Sequence, residues 1–181
     1  MQADRDAPRF SVGPQRLRGE TVSIFGAGTP EERAAIEETI IRMGWLIDRR
    51  EWDELLSLFT DWVDVDYTSL FGGEPETITA EDLVSRWRAT LDALAATQHL
   101  IAGVLVDLRG EEAQATANVV GTHVLPNASG GPTWTVGGTY WFTLARHDGG
   151  WRISGMALKV AWVNGNQHIL TLAADTIGQR R

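Results

Sequence analysis

The chain has 181 residues, 43% of them apolar, which is enough for one domain with a full hydrophobic core. Its 16 basic and 24 acidic residues leave a net charge of −8, which repels a phosphate backbone or an anionic bilayer, so neither nucleic acid nor a membrane is an expected partner. There is no cysteine, which excludes disulfides, a thiolate nucleophile and Cys-ligated zinc. No apolar run approaches about 18 residues, and no apolar core follows Met1-Gln2-Ala3-Asp4-Arg5-Asp6, so the cytoplasm is the expected location.

Residues 1–28 mix Pro8, Gly13, Pro14, Gly19 and Gly26 with charges and show no period, which reads as an N-terminal arm ahead of a domain spanning 29–178. Thr29-Pro30-Glu31-Glu32 opens a helix with a capping box: a hydroxyl at the N-cap, proline at the first helical position and a carboxylate three residues on. Ile36, Ile40, Met43 and Ile47 recur at helical spacing down to Asp48, with Gly44 on the flank, where a missing side chain lets another backbone or a ligand approach. A short amphipathic helix is expected over 51–59 and a strand over 62–67, followed by a turn at Gly72-Gly73 and Pro75. Thr79 and Asp82 start a third helix, predicted to run to about Ala95 with Leu83, Trp87, Leu91 and Leu94 buried.

After that the pattern changes. Segments 98–109, 112–125, 133–147 and 150–163 are rich in Val, Thr, Trp and Ile and are separated by turn signals, which predicts hairpins in an antiparallel sheet. Gly137 and Gly138 lie between strand-forming residues and mark a bulge or bend, not a nucleotide-binding turn. A last helix is expected from Asn166 to about Ile177. Helices first and strands afterwards define an α+β fold, with three helices on the concave side of a curved antiparallel sheet and a C-terminal helix, leaving room inside for a small molecule.

Two residues stand out chemically. Asp48 ends the first long helix, and His99 sits at the start of the β region in Thr97-Gln98-His99-Leu100-Ile101-Ala102-Gly103. If they meet, the carboxylate orients an imidazole whose basicity suits proton abstraction near neutral pH. The plainer readings are a solvated helix end for Asp48 and a backbone-bonded junction residue for His99. A carboxylate at a helix C-terminus opposes the helix dipole, which counts against the plain reading of Asp48. Tyr67 either orients a substrate carbonyl or fills the core. Eight tryptophans against two tyrosines suit either an aromatic-walled cavity or plain core filling, and Trp45, Trp52, Trp87, Asn118, Tyr140, Trp141 and Trp162 are the candidate lining residues. His99, His123, His147 and His168 lack the spacing of a zinc helix, so no metal or cofactor is expected, and no Gly-x-Ser-x-Gly elbow is present.

The order of elements resembles a known family. With Trp45-Leu46-Ile47-Asp48-Arg49-Arg50-Glu51-Trp52-Asp53, Asp64-Val65-Asp66-Tyr67, the His99 segment and Asp148-Gly149-Gly150-Trp151-Arg152-Ile153, it is similar to the SnoaL-like, scytalone-dehydratase-like branch of the nuclear-transport-factor-2-like superfamily. The resemblance covers about residues 30–175. It implies a conical barrel with an apolar pocket, self-association through the sheet's outer face as a homodimer or homotrimer, and an Asp–His pair at the positions of Asp48 and His99. It further implies a tyrosine at Tyr67 and a second histidine at His123. The chain departs from the dehydratase at Ile47, where that enzyme carries a tyrosine, and at Gly138 and Tyr140, where serine and asparagine are found. Scytalone itself is therefore not inferred.

The function expected is a cofactor-independent, dehydratase-like lyase acting on a small apolar oxygenated ring such as a polyketide, steroid or terpenoid. An isomerase or polyketide cyclase would use the same pair. A non-catalytic ligand-binding or interaction module is the competing class, and it predicts that Asp48 and His99 do not touch or that tryptophan fills the cone.

Overall fold

The computed structural model describes residues 28–127 and 130–178. The N-terminal arm lies outside the described residues except for Gly28. Helix α1 spans Pro30–Arg49, and its capping box forms as the sequence predicts: Glu32 N–H donates to the Thr29 hydroxyl at 3.2 Å and Thr29 N–H to the Glu32 carboxylate at 3.0 Å. Ile36, Ile40, Met43 and Ile47 are all buried. Each such side chain removed from water is worth about 1.5–3 kcal/mol, so a charge at Ile40 would undo the packing of α1.

The chain continues through α2 (Trp52–Leu56), β1 (Phe59–Asp66), α3 (Thr68–Phe71), β2 (Glu76–Thr79), α4 (Ala80–Leu91), β3 (Ala96–Arg109), β4 (Glu112–Val124), β5 (Thr133–His147), β6 (Gly150–Gly165) and α5 (Ile169–Gly178). α3 and β2 fall where a turn is expected from Gly72, Gly73 and Pro75. Each has four residues, too few to show a period. α4 stops at Leu91 rather than near Ala95, and the Ala95 N–H already bonds Val124 in the sheet.

The α+β class is as predicted, with one correction to the sheet. Its order is β2-β1-β6-β5-β4-β3, and β1 runs parallel to β6 while every other pair is antiparallel, so the sheet is mixed. Short turns dictate antiparallel neighbours only for strands they join directly. β1 and β6 meet across most of the chain, with no hairpin to set their direction. The sheet is also open, with β2 and β3 as its edges, so the barrel is a curved half-cone completed by helices.

Two bulges bend it. One lies between Ala102 and Leu105, at Gly103 with φ 66°, and the other at Gly137/Gly138, as the glycines suggest. A Cβ at Gly138 would sit 2.3 Å from the Lys159 carbonyl oxygen, so the bulge requires glycine there. No helix among the described residues is long and apolar enough to cross a membrane.

Candidate active site

Helix α1 delivers Asp48 to the start of β3, where Thr97 and His99 point inward two residues apart, as strand alternation demands. The carboxylate takes three hydrogen bonds. Oδ1 accepts from the His99 ring Nδ1 at 2.7 Å and from the Thr97 hydroxyl at 2.9 Å, and Oδ2 accepts the His99 backbone N–H at 2.6 Å. Partial burial pushes the Asp48 carboxyl up. The hydrogen bonds from the His99 ring, the His99 N–H and Thr97 outweigh that and hold it below the ordinary carboxylate value. An ionised carboxylate only accepts, so neutral His99 carries its proton on Nδ1 and leaves Nε2 as a free lone pair.

Two glycines fit around His99. A Cβ at Gly44 would lie 3.2 Å from the His99 Cβ and 3.0 Å from Ile101 Cδ1, so α1 could not approach β3 as closely with a side chain there. On the other side, a Cβ at Gly121 would lie 3.2 Å from the His99 Cδ2 and 3.4 Å from Nε2.

His99 lines a cavity of ≈ 360 Å³, within the usual range for small-molecule sites. Val65, Ile78, Leu83, Trp87, Val119 and Leu158 give it apolar walls, and exposed Phe71, Glu74, Glu76 and Arg86 mark its mouth. His123 is buried in the same wall, with its ring 5.5 Å from that of His99 at 90° and 5.0 Å from that of Trp134. Burial, reinforced by the neighbouring His99, lowers its pKa to about 4, so it is neutral at neutral pH. Its Nδ1 and the Trp134 Nε1 have no hydrogen-bond partner among the described residues.

Tyr67, one residue past the end of β1, and Tyr140 on β5 both line the cavity, and each phenol influences the other's ionisation. Burial raises both phenols, so each remains a neutral proton donor. The Tyr67 hydroxyl is also 3.9 Å from the Met156 sulfur, a weak acceptor. Among the described residues no cluster of three or more His, Asp or Glu is placed to hold a metal ion.

The fold therefore brings together Asp48, His99, Tyr67, His123, Trp87 and Tyr140. The other candidate lining residues lie elsewhere. Trp45 is 58% exposed on the outer side of α1, under the Arg49 guanidinium at 4.3 Å. Trp52 is buried away from the cavity, its indole N–H donating to Asp92 at 3.1 Å and its ring facing Arg50. Asn118 and Trp141 alternate with the inward residues Val119 and Tyr140 and so occupy the sheet's outer face. Trp162 lies over Gly137 on that outer face, where a Cβ would overlap its ring at 2.1 Å.

Sequence reasoning missed Thr97, Arg50, Gly121 and Trp134. Thr97 had a signal, since it shares the His99 face two residues earlier. Arg50 had none, because its part depends on a left-handed backbone turn at the end of α1.

A curved sheet and helices around a small apolar cavity are the architecture of nuclear-transport-factor-2-like proteins, and here an Asp–His pair lies at the cavity wall. The chain belongs to the SnoaL-like domain family, which matches residues 29–157. Among solved structures it is similar to the Kfla4162 protein of Kribbella flavida, with 30% identity and a TM-score of 0.74, covering 78% of this chain and 97% of that one. It also shares the fold of a provisionally named scytalone dehydratase from Novosphingobium aromaticivorans, with 20% identity and a TM-score of 0.66 over 76% of this chain and 89% of that one. A third is a hexachlorocyclohexane dehydrochlorinase, LinA-type3, from Novosphingobium barchaimii, with 16% identity and a TM-score of 0.61 over 76% and 91%. No curated protein matches the sequence significantly.

Proposed function

We propose that the protein is a cofactor-independent lyase of the dehydratase type, with His99 as the base and Asp48 as its orienting partner. The observation that carries this reading is the 2.7 Å contact between Asp48 Oδ1 and His99 Nδ1 at the wall of an open cavity. It leaves Nε2 free to take a proton from carbon. A binding module would not need a carboxylate committed to one tautomer of a cavity histidine.

The substrate is a small, uncharged, largely apolar ring compound bearing oxygen. The inner walls are largely apolar, with the histidines, Trp134, the two phenols, Thr68 and Thr90 as polar groups, and fixed charges stay at the mouth. Nε2 removes a proton alpha to a carbonyl, and the charge that develops on the carbonyl oxygen is met by the Tyr67 and Tyr140 hydroxyls. Expulsion of a β-hydroxyl follows, and the His99 imidazolium returns the proton so that water leaves. His123 serves as a neutral hydrogen-bonding group in this scheme. Its low pKa leaves too little imidazolium near pH 7 for it to act as the acid. Double-bond isomerisation or ring closure would begin from the same enolate, and the phenol pair favours these alongside dehydration. Two structural neighbours, the provisionally named dehydratase and the dehydrochlorinase, agree with an elimination.

Self-association through the outer sheet face belongs to the same proposal. Leu100, Leu105, Trp141 and Trp162 are 61%, 60%, 38% and 48% exposed there, an apolar surface suited to a second copy. Light scattering on the purified protein would reveal a dimer or trimer, and a monomer at micromolar concentration would remove this part.

The test of the activity is incubation with a panel of neutral cyclic ketones and β-hydroxyketones in D₂O, followed by mass spectrometry. Deuterium uptake at carbon or loss of one water, dependent on His99, is the expected result. If no compound exchanges or dehydrates above the uncatalysed rate, the lyase reading fails for this substrate class.

A further inference from the structure

Arg50 holds a backbone conformation that ordinarily falls to glycine. Its φ of 62° and ψ of 28° are left-handed, where a Cβ crowds the following carbonyl. Ending α1 does not need this side chain. The backbone N–H groups of Arg50 and Glu51 already bond the Ile47 and Leu46 carbonyls at 3.2 and 3.1 Å, and a glycine would make the same bonds.

What the side chain adds is a bridge between three elements. Nη1 donates to the Ile47 carbonyl at 2.7 Å and to the Thr97 hydroxyl at 2.8 Å, and Nη2 donates to the Leu91 carbonyl at 2.8 Å. A guanidinium only donates, and a hydroxyl has a single proton. With Arg50 on its acceptor side, Thr97 directs that proton to Asp48 Oδ1 at 2.9 Å.

We infer that Arg50 and Thr97 are positioning residues for the Asp48–His99 pair. Arg50 sets the direction of the Thr97 hydroxyl, and the hydroxyl fixes the rotation of the Asp48 carboxylate that keeps the His99 proton on Nδ1. The role in catalysis rests on His99 being the base. The geometric claim does not.

The test uses the full chain, isotope-labelled, with two NMR readouts that need no substrate: the ring ¹⁵N shifts of His99, which report its tautomer, and the ¹³C titration of the Asp48 carboxyl. Thr97→Val keeps the shape and removes the proton donor. It is expected to raise the Asp48 midpoint and to populate the Nε2–H form of His99. Thr97→Ser should restore both readouts to the native values. Arg50→Gly relieves the left-handed backbone while deleting the guanidinium, and is expected to shift both readouts in the same direction as Thr97→Val. On a substrate that turns over, Thr97→Val should lower kcat about tenfold, the worth of roughly one hydrogen bond, with KM little changed. Native tautomer and titration in both Thr97→Val and Arg50→Gly would overturn the inference, even with His99→Ala inactive. Shifted readouts together with a fully active His99→Ala would instead support the geometry and remove the base reading.

Discussion

The Asp48 carboxylate holds His99 at two points, taking its backbone N–H on Oδ2 at 2.6 Å and its ring Nδ1–H on Oδ1 at 2.7 Å. The first bond fixes where β3 starts relative to the end of α1, and the second fixes the ring. One side chain therefore sets both strand register and tautomer, so errors in either element reach the imidazole directly.

Gly121→Ala tests how tightly the ring is seated. The added methyl would lie 3.2 Å from His99 Cδ2, tighter than ordinary van der Waals contact, and 3.5 Å from His123 Cε1, in ordinary contact. Displacing a catalytic group by a fraction of an ångström costs about 10–10² in rate, so kcat should fall by that much with little change in Tm. Steady-state kinetics and a thermal melt of the variant check this.

The phenol pair predicts a graded loss. Tyr67→Phe removes a donor from the proposed oxyanion site and should lower kcat about 10²-fold. Tyr140→Phe should act in the same direction, because its phenol lines the same cavity. A change confined to KM in both variants would mean that the phenols bind substrate without stabilising developing charge.

His123 makes stability depend on pH. Its folded pKa of about 4 lies below the unfolded value of 6.5, so the unfolded chain binds the proton first as pH falls. The associated stability is present in full above 6.5 and is lost progressively between 6.5 and about 4, by about 3 kcal/mol in total. The lowered Asp48 carboxyl acts in the same sense at lower pH, with its stabilisation lost as pH falls. Urea unfolding at pH 7 and pH 4.5 should show a smaller acid loss in His123→Phe than in the native protein.

The tryptophans separate cavity from surface. Trp87→Ala should raise KM several-fold by removing cavity wall, while Trp162→Ala should leave kinetics unchanged, since its ring covers Gly137 on the outer face. Parallel kinetic measurements on the two variants decide it.

How much of this was legible from sequence depended on the range of the signal. The α1 cap, its apolar stripe and the four long strands are local patterns, and they formed within a few residues of the predicted bounds. The Gly137/Gly138 bulge was legible for the same reason. The parallel β1–β6 pairing was not, because no turn joins those strands. Residue type suggested an aromatic-walled cavity but not which face each ring takes: Asn118 and Trp141 sit one residue from inward-facing neighbours, and an error of one position reverses a strand residue's side. Arg50 escaped because a charged residue next to a helix end reads as solvated. Its left-handed turn, invisible in composition, sends the guanidinium inward to Thr97.

The most direct test of the dyad compares turnover by His99→Ala, Asp48→Asn and the double variant on one converted substrate. If the pair is the base, each single variant loses about 10²–10⁴-fold in kcat with its fold intact by circular dichroism, and the double loses no more, because the two residues act as one unit. Near-native rates in both single variants would contradict it.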